Sequence, residues 1–251
     1  MADYKVIDAE KLEADLTTVA YAIRVKGGTT EKLEFPQGMA DAVSAIQSGG
    51  GEAVANPFEY VTNMNELYRG CIFPNNHELI INAPNFLEGM DRIIRYSKGL
   101  KSIKLIGNTN NNTVSMQYGF QQYMNETLLE TVDFSEWGNG EVKVTYGNSA
   151  FSGDSKLITI NGVFDFTNTV NINGMFDECR ALENIKFKEN TIKLSLGLRS
   201  SGLLSDASIQ SIIDGLATVE TTQTLALHAD VKAKLTDTQL ATITGKNWTV
   251  A

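Results

Sequence analysis

Leu-Lys-Ser-Ile-Lys-Leu-Ile-Gly, residues 100–107, decides the reading of the fold. Ile103 and Leu105 alternate with Ser102 and Lys104 before a glycine, the period-two pattern of a strand with one buried face. Related units follow the same plan: LIIN from Leu79, LLETVDF from Leu128, KLITING from Lys156 and LENIKF from Leu182. Aligned on Ile103, Val132, Ile158 and Ile185, they recur at spacings inside the 20–50 residue range that marks stacked repeats. One short strand cannot bury its apolar face alone, so residues 56–200 are expected to stack as an irregular leucine-rich-type solenoid. Aromatic residues ahead of the strands, Tyr96, Phe151 and Phe176, are expected to fill its inside.

The flanks differ from this core. In residues 1–48, Leu12, Leu16, Val19 and Ile23 fall on one helical face, with Asp8 as a cap and Gly27-Gly28 as a stop. A short extended piece carries Leu33 and Phe35, and after Pro36 a second stripe of Met39, Val43 and Ile46 predicts another helix. Two narrow stripes bury too little surface for independent stability, so this helical module is expected to dock on copies of itself or on another protein, with folding back on the solenoid as the other reading. Gly49-Gly50-Gly51 opens a flexible hinge over 49–55. In residues 201–251, Ser205-Asp206 caps a helix carrying Ile209, Ile212, Ile213 and Leu216, and Thr224 to Leu227 alternates as a strand. Thr236-Asp237 caps a further helix and Trp248-Thr249-Val250 closes as a strand, a mixed α/β C-terminal cap. The expected class is therefore α+β.

With Phe176-x-x-Cys179-x-x-Leu182-x-x-Ile185-x-Phe187 in view, the middle segment resembles the bacterial surface-antigen, or BspA-type, leucine-rich repeats. Tyr96, Phe120 and Phe151 keep the aromatic of that pattern, while the cysteine is replaced. Leu16-Thr17-Thr18-Val19-Ala20-Tyr21-Ala22-Ile23-Arg24-x-Lys26-Gly27-Gly28, followed by Leu33-Glu34-Phe35-Pro36-x-Gly38-Met39-Ala40, resembles a segment recurring in tail and other virion proteins of phages that infect Gram-positive bacteria. The closing pattern from Leu204-Ser205 to Asn247-Trp248-Thr249-Val250 is similar to the C-termini of repeat proteins from the same phages. These resemblances imply a non-enzymatic virion structural protein of a tail, baseplate or fibre, assembling as a homo-oligomer with other virion proteins. They imply that residues 1–48 anchor it, through Leu12, Leu16, Val19, Ile23, Phe35, Met39, Val43 and Ile46, while the repeats face a host-surface glycan or protein. Alternatives are a head decoration or head fibre protein and a prophage or bacterial surface adhesin, with a glycan depolymerase last.

Composition narrows the partners. Thirty acidic against 21 basic residues give a formal charge of -9, which repels a phosphate backbone, so no nucleic-acid partner is expected. No apolar run approaches the ~18 residues needed to span a bilayer, and the first residues are too polar for a signal peptide, so neither membrane insertion nor export by a signal peptide is expected; the phage resemblance implies the virion as location, after synthesis in the host cytoplasm. Cys71 and Cys179 lack the spacing of a zinc site and are expected as small buried side chains, with one disulfide between them as the other possibility. His77 and His228 lie apart with no metal-ligand spacing, and no nucleophile-elbow, phosphate-loop or dinucleotide motif occurs, so no catalytic residue, cofactor or metal is expected. Asp133, Glu136, Asp154 and Asp165 are the acids from which a glycan-cutting pair would be drawn. The candidate glycan contacts are Asn110, Asn111 and Asn112 in an asparagine-rich turn with Trp137 nearby, because amides pair with sugar hydroxyls and an indole offers an apolar face.

Overall fold

The computed structural model describes residues 56–122 and 127–251, and the chain divides into two compact units, Met1–Glu59 and Tyr60–Ala251. The second unit is built from three parallel sheets. Strands β1 (Ile72–Ala83), β2 (Lys98–Gly107), β4 (Thr131–Trp137) and β6 (Thr159–Asn161) pair in that order. Strands β3 (Val114–Ser115), β5 (Glu141–Tyr146) and β7 (Val163–Asp165) form the second sheet. Strands β8 (Leu196–Leu198), β9 (Gln223–Leu227) and β10 (Trp248–Val250) form the third.

These strands exist because alternate side chains are apolar and point inward, where Ile81, Ile103, Leu105, Val132, Phe134, Val142, Val144 and Phe164 are all buried. Leu79 pairs with Ile103, Ile103 with Val132 and Val132 with Ile160, so like residues stack in columns. The sequence alignment placed Ile158 in that column. The observed register puts Ile160 there, because Asp154 to Leu157 turn the chain before the strand begins.

Between the strand columns runs a third kind of ladder, made of turns. Successive turns lie 25 to 31 residues apart in sequence, from Glu66 through Arg92, Tyr118 and Ser149 to Gly174, and every second N–H donates to a carbonyl of the next turn. Met64 donates to Gly89 (2.7 Å), Tyr68 to Ile93 (2.7 Å), Ile94 to Gly119 (3.0 Å), Phe120 to Ala150 (2.8 Å) and Phe151 to Met175 (2.9 Å). Equivalent positions Glu66, Arg92, Tyr118, Ser149 and Gly174 all have φ between 52° and 63°. A left-handed residue bearing a Cβ costs on the order of 1 kcal/mol, which the inter-turn hydrogen bonds offset at Glu66, Arg92, Tyr118 and Ser149. Inside, Phe120 stacks on Phe151 (centroids 4.9 Å) and Phe151 on Phe176 (5.7 Å). Tyr96, by contrast, is not inside: its φ of 60° turns it outward, where Arg95 lies 4.4 Å over its ring.

Helix α1 (Asp206–Gly215) lies along the segment 183–187, which bridges β6 through Asn184 and β7 through Phe187. Its Ser208 Oγ accepts from Ile185 N–H (3.0 Å) and donates to the Glu183 carbonyl (2.8 Å), while Ser211 Oγ accepts from Phe187 N–H (2.9 Å). Edge groups that would otherwise need another strand are thereby satisfied. Two further helices, α2 (Ala229–Lys232) and α3 (Asp237–Gly245), follow. The caps read from sequence are in place: the Ser205 side chain accepts from Ser208 N–H, and Thr236 forms a capping box with Gln239.

The α+β class is therefore corrected. The described residues are mostly parallel β-sheet, and their three α-helices are confined to residues 206–245. In place of an irregular leucine-rich-type (BspA-like) solenoid followed by a mixed α/β cap stand three parallel sheets. The physical reason is that β-branched and aromatic residues alternate in the middle segment, and parallel pairing continues into β8–β10 rather than stopping at a separate cap. The helical N-terminal anchor expected over 1–48, with Leu12, Leu16, Val19, Ile23, Phe35, Met39, Val43 and Ile46, and the hinge over 49–55 lie outside the described residues.

Candidate functional site

The turn ladder stops after its fifth layer. In the layer before, Ser149, Phe151 and Gly153 pass their N–H groups to the carbonyls of Asn173, Met175 and Asp177. The equivalent groups in the last layer, the N–H of Gly174, Phe176 and Glu178, make no hydrogen bond to any described residue. The next segment alongside, β8, pairs on its other edge with β9, and no backbone hydrogen bond crosses from residues 171–178 to β8 among the described residues. A cleft of about 390 Å³ fills the interruption.

One wall of the cleft carries Asn173, Gly174 and Asp177, and the other carries Ser195, Gly197 and Arg199. Ile172, Leu196 and Ala226, all buried, lie beneath its floor. A Cβ placed on Gly197 meets no atom within 4 Å, so this strand glycine leaves open space over the backbone. Ser195 is held in place, its Oγ donating to Gln223 Oε1 (2.9 Å) and accepting from Thr224 N–H (3.0 Å). Asp177 and Arg199 are exposed, and they line one cleft without forming an ion pair with each other. Beyond each end of the cleft a contact joins the two walls: Ser201 Oγ donates to the Cys179 carbonyl (3.0 Å), and Lys193 Nζ to the Thr167 carbonyl (3.4 Å).

The asparagine turn behaves differently from its sequence reading. Asn108 is buried and knots the loop, its Oδ1 accepting from Asn112 N–H (2.8 Å) and its Nδ2 donating to the Asn112 carbonyl (2.9 Å). Asn112 Nδ2 donates to the Phe86 carbonyl (2.8 Å), and Asn111 tucks its Oδ1 into a buried position with φ of 51°. Asn110 is exposed. Trp137 is fully buried with its ring 4.7 Å from Phe86, so it offers no face to a sugar. A bulge explains this: β4 slips between Lys104 and Ile106, leaving Ser135 and Glu136 both outward and returning Trp137 to the core. Of the candidate contacts, Asn110 alone stays free of a structural task.

The four acids singled out for a catalytic pair do not converge. Asp133 accepts from Ser135 N–H (2.8 Å), and Glu136 pairs with Lys104 (2.5 Å). Burial works against the charge of Asp165, yet the Thr167 hydroxyl, the Lys188 ammonium at 2.9 Å and the Thr167 N–H outweigh it and hold the carboxyl below its usual range. Asp154 is fully buried beside Cys179, and neither carboxyl oxygen finds a well-formed hydrogen bond among the described residues. Burial pushes its pKa well above the usual range, an effect that the Thr127 hydroxyl only partly offsets. Cys71 and Cys179 form no disulfide; Cys179 is buried and Cys71 half-buried. His228 caps α2, its Nδ1 accepting from Asp230 N–H at 3.3 Å. Among the described residues no helix is long and apolar enough to cross a membrane.

Compared with protein-family models, curated proteins and solved structures, the chain matches none of them.

Proposed function

We propose that this chain is a non-enzymatic virion structural protein of a phage infecting Gram-positive bacteria, a tail, baseplate or fibre component that presents residues 60–251 to the host surface. The observation that carries the reading is the segment Leu16 to Gly28 with Leu33 to Ile46, whose residues resemble those recurring in virion proteins of such phages. Two further features support it. The chain divides at residue 59 into two units, the arrangement an attachment segment and a presented body require. The presented body is a stack in which hydrogen bonds run from layer to layer through both strands and turns, a rigid scaffold on which surface residues keep fixed positions. In this reading Leu12, Leu16, Val19, Ile23, Phe35, Met39, Val43 and Ile46 contact copies of the chain or neighbouring virion proteins.

The test uses the full chain carrying Leu16→Glu and Val43→Glu. Supplied during phage growth, the unchanged chain is expected to sediment with purified particles, and the double variant is expected to remain in the soluble lysate with at least tenfold less on the particle. A variant recovered on particles at the level of the unchanged chain overturns the attachment role.

A further inference from the structure

We infer that the cleft between residues 171–178 and β8 binds the terminal unit of a neutral glycan. The inference rests on the host-surface reading above and gives it a ligand class. A hydrogen-bonding ladder that runs through five layers of turns ends here with donors left over, the N–H of Gly174 among them. Asn173 adds an amide, Arg199 a guanidinium and Asp177 a carboxylate, so donors and acceptors face one small volume. Vicinal hydroxyls, each able to donate and accept, satisfy such a mixture.

The same residues argue against other ligands. An anion would meet the Asp177 carboxylate in a chain whose net charge is already -9. A metal ion needs several hard or imidazole ligands, and among the described residues no three of His, Cys, Asp or Glu gather anywhere. An added peptide strand would have to run through the gap, but its two walls are joined by Ser201 with Cys179 at one end and Lys193 with Thr167 at the other. Those closures also select the end of a saccharide chain over its middle. About 390 Å³ is at the lower end of small-ligand clefts, suited to one or two sugar rings. Gly197 completes the site: its missing side chain leaves open space over the backbone, room for the C–H face of a ring.

The full chain is to be titrated by saturation-transfer NMR with the methyl glycosides of glucose, galactose, rhamnose, N-acetylglucosamine and N-acetylgalactosamine, with glucuronate and inorganic phosphate as anionic probes. At least one neutral glycoside is expected to bind, and Gly197→Leu and Asp177→Asn to weaken it at least tenfold. Gly197→Leu fills open space and is expected to leave the thermal midpoint unchanged, so its loss of binding reports the cleft and not unfolding. Binding of the anionic probes alone, binding of none, or wild-type affinity in Gly197→Leu overturns the inference. Adhesion of the full chain to host envelopes separates the two claims. Envelope binding that survives Gly197→Leu sinks the cleft and spares the host-surface role, whereas glycoside binding without envelope binding does the reverse.

Discussion

Asp154 shows what a single buried group contributes. Its raised pKa means that the folded protein keeps a proton the unfolded chain has released once pH exceeds the ordinary Asp value of about 4. Stability is therefore lost as pH climbs from there through the folded-state value. Asp165 acts in the opposite direction: its depressed pKa stabilises the fold above the ordinary value and fails as pH falls below it. Asp154→Asn is expected to flatten the decline in thermal midpoint between pH 5 and pH 8, and an unchanged slope would remove Asp154 as its source. A second residue test concerns Gly107, whose φ is 115° and whose added Cβ would run into the Ala83 backbone. Gly107→Ala is expected to cost about 2 kcal/mol or more in urea unfolding. The structural role of neither group was legible in the sequence. Asp154 stood out there only as one of four acids for a glycan-cutting pair, because its burial is set by where the turn after Phe151 lands and not by its neighbours in the chain.

The elements were legible where patterning alone sets them. Residues 100–107 alternate in β2 as written, and Ser205 and Thr236 cap the helices that their positions announce. Register was harder. A period-two strand looks the same when slid by two residues, so the alignment took Ile158 where pairing with β4 selects Ile160. The role of α1 was hidden because nothing around Ser208 and Ser211 in the sequence shows that their hydroxyls meet Ile185 and Phe187, on the segment that bridges both β6 and β7. Ser208→Ala orphans the buried Ile185 N–H, while the Glu183 carbonyl keeps its bond from Ser205 N–H (3.0 Å), an expected loss of ~1–3 kcal/mol by equilibrium unfolding. A change within ±0.5 kcal/mol would mean that α1 is not what satisfies that segment.

At the scale of the whole molecule, the candidate cleft draws on three stretches, residues 172–177, 195–199 and 224–226. No motif spans them, and the one local signal was a glycine between Leu196 and Leu198 inside a strand. The asparagine turn, conspicuous in sequence, turned out to be tied largely to its own backbone. Conspicuous composition marked structure, while the open surface arose from a break in a repeating pattern of hydrogen bonds. The central claim is that this protein is a fixed part of a phage particle. It is tested most directly by quantitative mass spectrometry of gradient-purified particles of the phage encoding it. The account predicts this chain in a constant ratio to the major virion proteins across the particle peak; a chain found in the lysate and absent from that peak would contradict it.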